Sequence, residues 1–115
     1  MVAPRDESRS KLTHFHGAAH DGNIQDLSAI LSNSPRLALE QDENGWTALQ
    51  FAVRSGNLEC VKLLVQKGAD VNHRTNGGQG MSALFLAERY YGNDHPVATF
   101  LVVSGGLSRS PILQF

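Results

Sequence analysis

Three imidazoles, those of His14, His16 and His20, precede the carboxylate of Asp21 within eight residues. That grouping is raw material for a metal site. On a helix His16 and His20, four apart, share one face and can approach a single ion, while His14 is rotated well away. A metal-dependent hydrolase built on His16, His20 and Asp21 is the catalytic reading. A second stretch, Gly78-Gln79-Gly80-Met81-Ser82-Ala83, has the G-x-G-x-x-A spacing of a dinucleotide loop. Its context does not fit, because residues 70–76 are polar where a buried strand should lie and no acidic residue ends a following strand. The glycines serve better to let a hairpin finger turn with positive φ, so no cofactor is expected. Cys60 stands beside Val61 and Leu63 where a small hydrophobe belongs, with only Lys62 as a nearby base, and is read as packing. The acids Asp21, Glu40, Asp42 and Glu43 cluster near turns, where capping accounts for them without general acid or base chemistry.

The bulk properties narrow the function classes. With 115 residues, one domain is the starting expectation, and 41% hydrophobic content can fill a core. Ten basic against eleven acidic residues give a net charge of -1, which offers no footprint for a phosphate backbone or an anionic membrane surface. The opening MVAPRDESRSK lacks the apolar run of a secretory signal, and the longest apolar run, 97–103, is far short of a bilayer span. With a single cysteine there is no internal disulfide. A cytoplasmic or nuclear protein is expected, binding neither nucleic acid nor membrane.

The elements that position these residues emerge when the sequence is slid against itself. SGNLECVKLLVQKGA, around Gly56, returns upstream as DGNIQDLSAILSNSP and downstream within MSALFLAERYYGNDHPVATFLVVSGG. In the middle copy Thr47 can cap a short helix over 48–54 with an apolar stripe of Leu49, Ala52 and Val53, closed by Ser55-Gly56. Asn57 then caps a second helix carrying Leu58, Val61, Leu64 and Val65, stopped at Gly68. Isolated helices under about 12–15 residues are marginal in water, so stacking against neighbours is obligatory. His16 falls in the slot that holds Gln50 one copy later. A hydrogen bond between neighbouring units therefore uses that imidazole more simply than a metal does, and no metal is expected.

Residues 42–74, DENGWTALQFAVRSGNLECVKLLVQKGADVNHR, resemble a complete ankyrin repeat of 33 residues. The matching marks are Asp42, Gly45, Thr47-Ala48-Leu49, Ala52, Gly56, Val61, Leu63-Leu64, Gly68-Ala69 and Asp70-Val71-Asn72. The family's T-P-L-H box reads Thr47-Ala48-Leu49-Gln50, without the proline that starts the helix and the histidine that ties neighbouring turns. The first copy keeps Phe15, Ala18, Gly22, Leu27 and Ile30 but ends in Asn33-Ser34-Pro35 and a longer link, as an N-terminal capping repeat does. The third has extra residues in its finger, 76–80, and before its second helix, 92–94, which starts at His95-Pro96. The resemblance implies an all-α solenoid with repeats at about 11–41, 42–74 and 75–106. Residues 1–10, polar and without periodicity, are expected as a disordered tail. The last helix, with Val97, Ala98, Phe100, Leu101, Val102 and Val103 apolar almost all round, needs a cover. Candidates are the tail 107–115, a second chain or a further domain, and a monomer is expected unless that helix pairs with a second chain.

The resemblance further implies that finger tips and the inner sides of the first helices grip a partner, while framework residues stack. The free positions are Glu43, Asn44, Trp46, Arg54 and Ser55 in the middle repeat, Gln79, Met81, Arg89 and Tyr90 in the third, and His20 and Asp21 in the first. Trp, Tyr and Arg dominate binding hot spots. Asn72 ends an A-D-V-N run eight residues after Leu64 and so resembles a target of asparaginyl hydroxylation; its plainer role is a turn asparagine bonding its own finger. The expected function is a non-catalytic module binding another protein or another domain of the full-length chain. The alternative is an accessory segment of a larger enzyme, for example a prolyl 4-hydroxylase-like protein, serving targeting or regulation.

Overall fold

The computed structural model describes residues 5–105. Six helices follow one another: α1 (Arg5–Asp21), α2 (Ile24–Asn33), α3 (Ala48–Ser55), α4 (Leu58–Gln66), α5 (Ala83–Tyr91) and α6 (Pro96–Val103). Short 3-10 turns lie at Pro35–Leu39 and Asn76–Gly78. Among the described residues there is no strand, and the first finger is marked by one isolated bridge between Gln41 and Thr47. The fold is all-α, as expected. None of these helices is long and apolar enough to cross a membrane.

Local chemistry sets the helix ends. Asn23 Oδ1 accepts from the Asp26 N–H at 3.2 Å to open α2, and the Ser82 hydroxyl accepts from the Phe85 N–H at 3.1 Å to open α5. His95 Nδ1 accepts from the Val97 N–H at 3.2 Å, just ahead of Pro96 at the first turn of α6. Gly56, at φ 76°, closes α3 in the left-handed region.

The N-terminus corrects an expectation. The segment 1–10 is not a tail throughout, because α1 already runs from Arg5; residues 1–4 lie outside the described part. Arg5, Glu7, Arg9 and Lys11 are straight-chain residues with good helix propensity. Lengthening a helix that is already packed further along adds one hydrogen bond per residue fixed, with no new nucleus to form. Hydrophobic periodicity is silent about such a turn because it registers only what the core covers.

Packing then joins the helices in two layers. α1, α3 and α5 lie side by side as an inner row, and α2, α4 and α6 form the outer row. Phe15, Leu49 and Leu86 of the inner row, with Leu27, Val61, Leu64, Val97 and Leu101 of the outer, are fully buried where the rows meet. Each such side chain contributes about 1.5–3 kcal/mol. The exception is the outer side of α6, where Val102 is 56% and Val103 80% exposed. The tail expected as one of its covers, 107–115, lies outside the described residues.

Polar ties lock one repeat to the next. Gln50, 1% exposed, accepts from the Thr47 N–H through Oε1 at 2.9 Å and donates from Nε2 to the carbonyls of His73 at 2.9 Å and Met81 at 3.2 Å. The amide thus does the bridging that the missing histidine would do. The fingers are joined further by His73 Nε2 with the Gly45 carbonyl at 2.8 Å and by the Asn76 N–H donating to the Asn44 carbonyl at 3.0 Å. At the far ends of the inner helices, Asn57 Nδ2 donates to the His20 carbonyl at 3.3 Å, and the Tyr91 hydroxyl donates to the Arg54 carbonyl. Asn57 stands at the N-cap of α4, yet its side chain makes no capping bond; the expected cap is used as a tie between repeats. A side chain at Gly22 would meet Asn57 Oδ1 at 2.8 Å and one at Gly56 would meet the Tyr91 hydroxyl at 3.0 Å, so both ties need glycine beneath them.

Replacing Gln50 with leucine leaves the Thr47 N–H and two carbonyls without their partner, at about 1–3 kcal/mol for a buried unsatisfied group. Urea denaturation followed by circular dichroism should show Gln50→Leu less stable by about 2–4 kcal/mol; an unchanged midpoint would mean that the amide ties nothing.

Candidate protein-binding surface

Helix α3 has two sides with different duties. Leu49, Ala52 and Val53 enter the core. Phe51 and Arg54, three apart and therefore neighbours on one side, remain on the inner surface, Phe51 half-buried and Arg54 exposed. Beside them the first finger delivers Trp46. Asp42 shapes that finger as an Asx turn: its carboxylate accepts from the N–H groups of Asn44 at 2.9 Å and Trp46 at 3.0 Å. The Asp42 N–H in turn donates to the Trp46 carbonyl at 2.9 Å.

Phe51 is the hub of the resulting cluster. Its ring centroid lies 5.2 Å from that of Trp46 and 5.1 Å from that of His16, and 6.5 Å from His20 in an edge-on arrangement at 76°. Offset and edge-on ring pairs at such separations are worth about 0.5–1.5 kcal/mol beyond their buried area. The Arg54 guanidinium sits 5.7 Å above the Trp46 ring, a cation–π arrangement that holds the charge over an aromatic floor.

His16 belongs to the underside of this cluster. It is 6% exposed and, among the described residues, its Nε2 has no hydrogen-bond partner. Burial pushes its pKa below the usual histidine value, opposed by the Asp42 charge and the backbone of Glu40. Glu40 lies at the base of the first finger as His73 lies at the base of the second, so His16 stands toward Glu40 as Gln50 stands toward His73. The second partner that Gln50 finds is missing for His16. His20 is exposed, with Nδ1 3.3 Å from the Asp21 carboxylate. Among the described residues no three His, Cys, Asp or Glu side chains converge as metal ligands. Cys60 is 1% exposed and its thiol pKa is raised, first by burial and then by the Glu59 charge, which suits packing rather than nucleophilic attack.

The structure brings Trp46, Arg54 and His20 together around Phe51, which sequence reasoning left out. Its signal was an aromatic residue off the core stripe and three positions before an arginine. Glu43 and Asn44 are exposed on the first finger and Gln79 on the second. Arg89 and Tyr90 are exposed on α5, the next helix of the inner row, with Tyr90 6.2 Å from Tyr91 between ring centroids. Ser55 is taken up by the framework: its hydroxyl donates to the Phe51 carbonyl at 3.1 Å and accepts from Asn57 at 2.9 Å. Met81 is half-buried against the core. Asn72 donates from Nδ2 to the Gly105 carbonyl at 3.1 Å, tying the second finger to the turn after α6. A cleft of about 800 Å³ lies between α1, the link and the first finger, lined by charges of both signs including Lys11, Arg36, Glu40 and Glu43.

Two measurements follow from the buried groups. Because the folded pKa of His16 lies below the unfolded value near 6.5, the unfolded chain binds more protons between the two. Stability should therefore fall as pH drops from about 6.5 through the lowered folded value, and be unaffected by this group above that range. Urea midpoints taken down to about pH 5 should slope less for His16→Gln than for the natural chain; parallel slopes would place the imidazole in water. Cys60 should react with a disulfide reagent in native buffer at least about 100-fold more slowly than in denaturant, and comparable rates would contradict its burial.

Comparison with known proteins gives a consistent result. The family model described as ankyrin repeats (3 copies) matches residues 15–108. The NAD-capped RNA hydrolase NUDT12 of Homo sapiens is 40% identical over 95 residues, covering 83% of this chain and 20% of the relative. That of Macaca fascicularis is 38% identical over 102 residues, covering 89% and 21%. The chain thus spans about a fifth of the length of these hydrolases. The Notch-regulated ankyrin repeat-containing protein of Xenopus laevis is 35% identical over 99 residues, which cover 84% of this chain and 83% of that protein.

Proposed function

The chain belongs to the ankyrin-repeat family, and from that premise we propose that it binds another protein, or another domain of its own full-length chain, through the face formed by α1, α3, α5 and the two fingers. Ankyrin repeats are protein-interaction modules. The observation that carries the assignment to this face is the cluster of Trp46, Phe51 and Arg54. Leu49, Ala52 and Val53 on the other side of α3 supply the fully buried contacts of stacking, while Trp46 and Phe51, packed against the core from the inner side, keep part of their surface open beneath the Arg54 guanidinium. These are the residue types that anchor interfaces, large in area and able to pair with both apolar and charged groups. No reaction is assigned to these residues. Recognition would extend from the cluster to Arg89 and Tyr90 on one side and His20 and Asp21 on the other, with Glu43, Asn44, Gln79 and Met81 along the fingers. A specific interface buries about 800 Å² per partner, so a partner would have to lie across most of this inner face.

A second reading rests on one observation: the hydrolases in which these repeats recur are about five times as long as the matched segment. In that arrangement the module serves a catalytic unit elsewhere in a longer chain, for targeting or regulation. The two readings share the inner face and differ in its occupant.

The test is quantitative capture with the immobilised chain, its Phe51→Ala, Arg54→Ala variant, and an outer-row control, Lys62→Ala, Lys67→Ala, all checked for unchanged far-ultraviolet circular dichroism. A true partner should be recovered at least about 10-fold less with the inner-face variant, since losing hot-spot residues costs about 2 kcal/mol or more, and equally well with the control. Equal recovery on all three surfaces would remove the inner face from consideration.

A further inference from the structure

Charge is not spread evenly over the inner face. At the first repeat His20 is matched by Asp21, whose carboxylate lies 3.3 Å from its ring. On the next two repeats the corresponding positions of α3 and α5 are Arg54 and Arg89, each in the last turn of its helix. Both are exposed, and among the described residues neither forms an ion pair with a carboxylate. Asp21 is a whole repeat away from Arg54, and Glu88, half-buried on α5, makes no ion pair with either arginine. The acids Asp42 and Glu43 sit instead on the first finger, where Asp42 is engaged with backbone N–H groups. The protein is close to neutral as a whole, at -1, so two unmatched guanidiniums in register along adjacent inner helices are a local feature and not a reflection of composition. Neighbouring packed helices lie about 8–10 Å apart, a spacing that one bound segment can span with two of its side chains.

Resting on the inner-face reading above, we propose that the partner presents an acidic segment interspersed with apolar side chains. Its carboxylates pair with Arg54 and Arg89, and an apolar side chain on the α1 side of Arg54 lies on the Phe51–Trp46 floor. Arginine suits this role because its planar fork takes a carboxylate in two parallel hydrogen bonds. Arg54 is already held over the Trp46 ring, so little side-chain freedom is lost on binding.

Trp46 is the only tryptophan, so its fluorescence reports this site without a label. The probes are a short peptide of alternating Glu and Leu and its counterpart with every Glu replaced by Gln. The acidic peptide should change the Trp46 emission saturably and bind at least about 10-fold more tightly than the Gln peptide, with the difference shrinking as salt is raised. Arg54→Gln, Arg89→Gln, substitutions at exposed positions, should reduce it to the level of the Gln peptide. Equal binding of the two peptides, no measurable binding of the acidic one, or acidic binding unchanged in the double variant would overturn the proposal. Labelled-peptide anisotropy with Phe51→Ala separates the two levels of the argument. If both peptides bind equally and both are lost in Phe51→Ala, the inner face stands and the acidic preference falls. If peptide binding is untouched by Phe51→Ala, the inner face falls as well.

Discussion

Helices of eight and nine residues, the lengths of α3, α4, α5 and α6, do not persist alone in water, because the cost of starting a helix is not repaid over two turns. Everything else in this protein follows from how that deficit is met. Each helix pair presents an apolar side to the pair before it and another to the pair after it. Leu49, Val61 and Leu64, at the centre of the row, are fully excluded from solvent. The middle repeat is covered on both sides and has the sequence closest to a regular unit. Among the described residues the outer two are covered on one side, and α6 shows the consequence in its exposed Val102 and Val103.

Stacking of apolar sides leaves the backbone groups of the fingers and helix ends to be satisfied across the same seams. One buried amide, Gln50, serves two carbonyls at the base of the second finger besides the N–H at its own helix start, and Asn57 and Tyr91 each serve the end of an inner helix in the preceding repeat. These ties draw on few side chains. What remains open on the inner row, the exposed Arg54 and Arg89 and the uncovered parts of the half-buried Phe51 and Trp46, is the physical ground for proposing recognition at this face.

Much of this was legible in the sequence because it depends on spacing. The repeat, the helix pairs, the glycine stop at Gly56 and the His95-Pro96 start are all written as local signals that the structure follows. Trp46, Arg54 and His20 were identifiable as positions outside the framework. Three features were not legible. Asn57 reads as a cap because asparagine before an apolar run usually caps; only the neighbouring helix end, 37 residues away in the chain, offers it a different acceptor. Phe51 lies off the core stripe, and only its ring contacts with Trp46, His16 and His20, residues of another helix and of the finger, mark it as the centre of the cluster. The first turn of α1 carries no apolar period, so nothing in the pattern distinguishes it from a tail.

Native-state hydrogen exchange at single amides tests the central claim, that the helices exist only through their neighbours, most directly. The account predicts that the slowest amides lie in α3 and α4 and open only with global unfolding, while those of the last turn of α6 exchange with much lower protection. Amides of α3 exchanging as fast as those at the end of α6, or α3 and α4 opening freely while α1 and α5 stay protected, would contradict it.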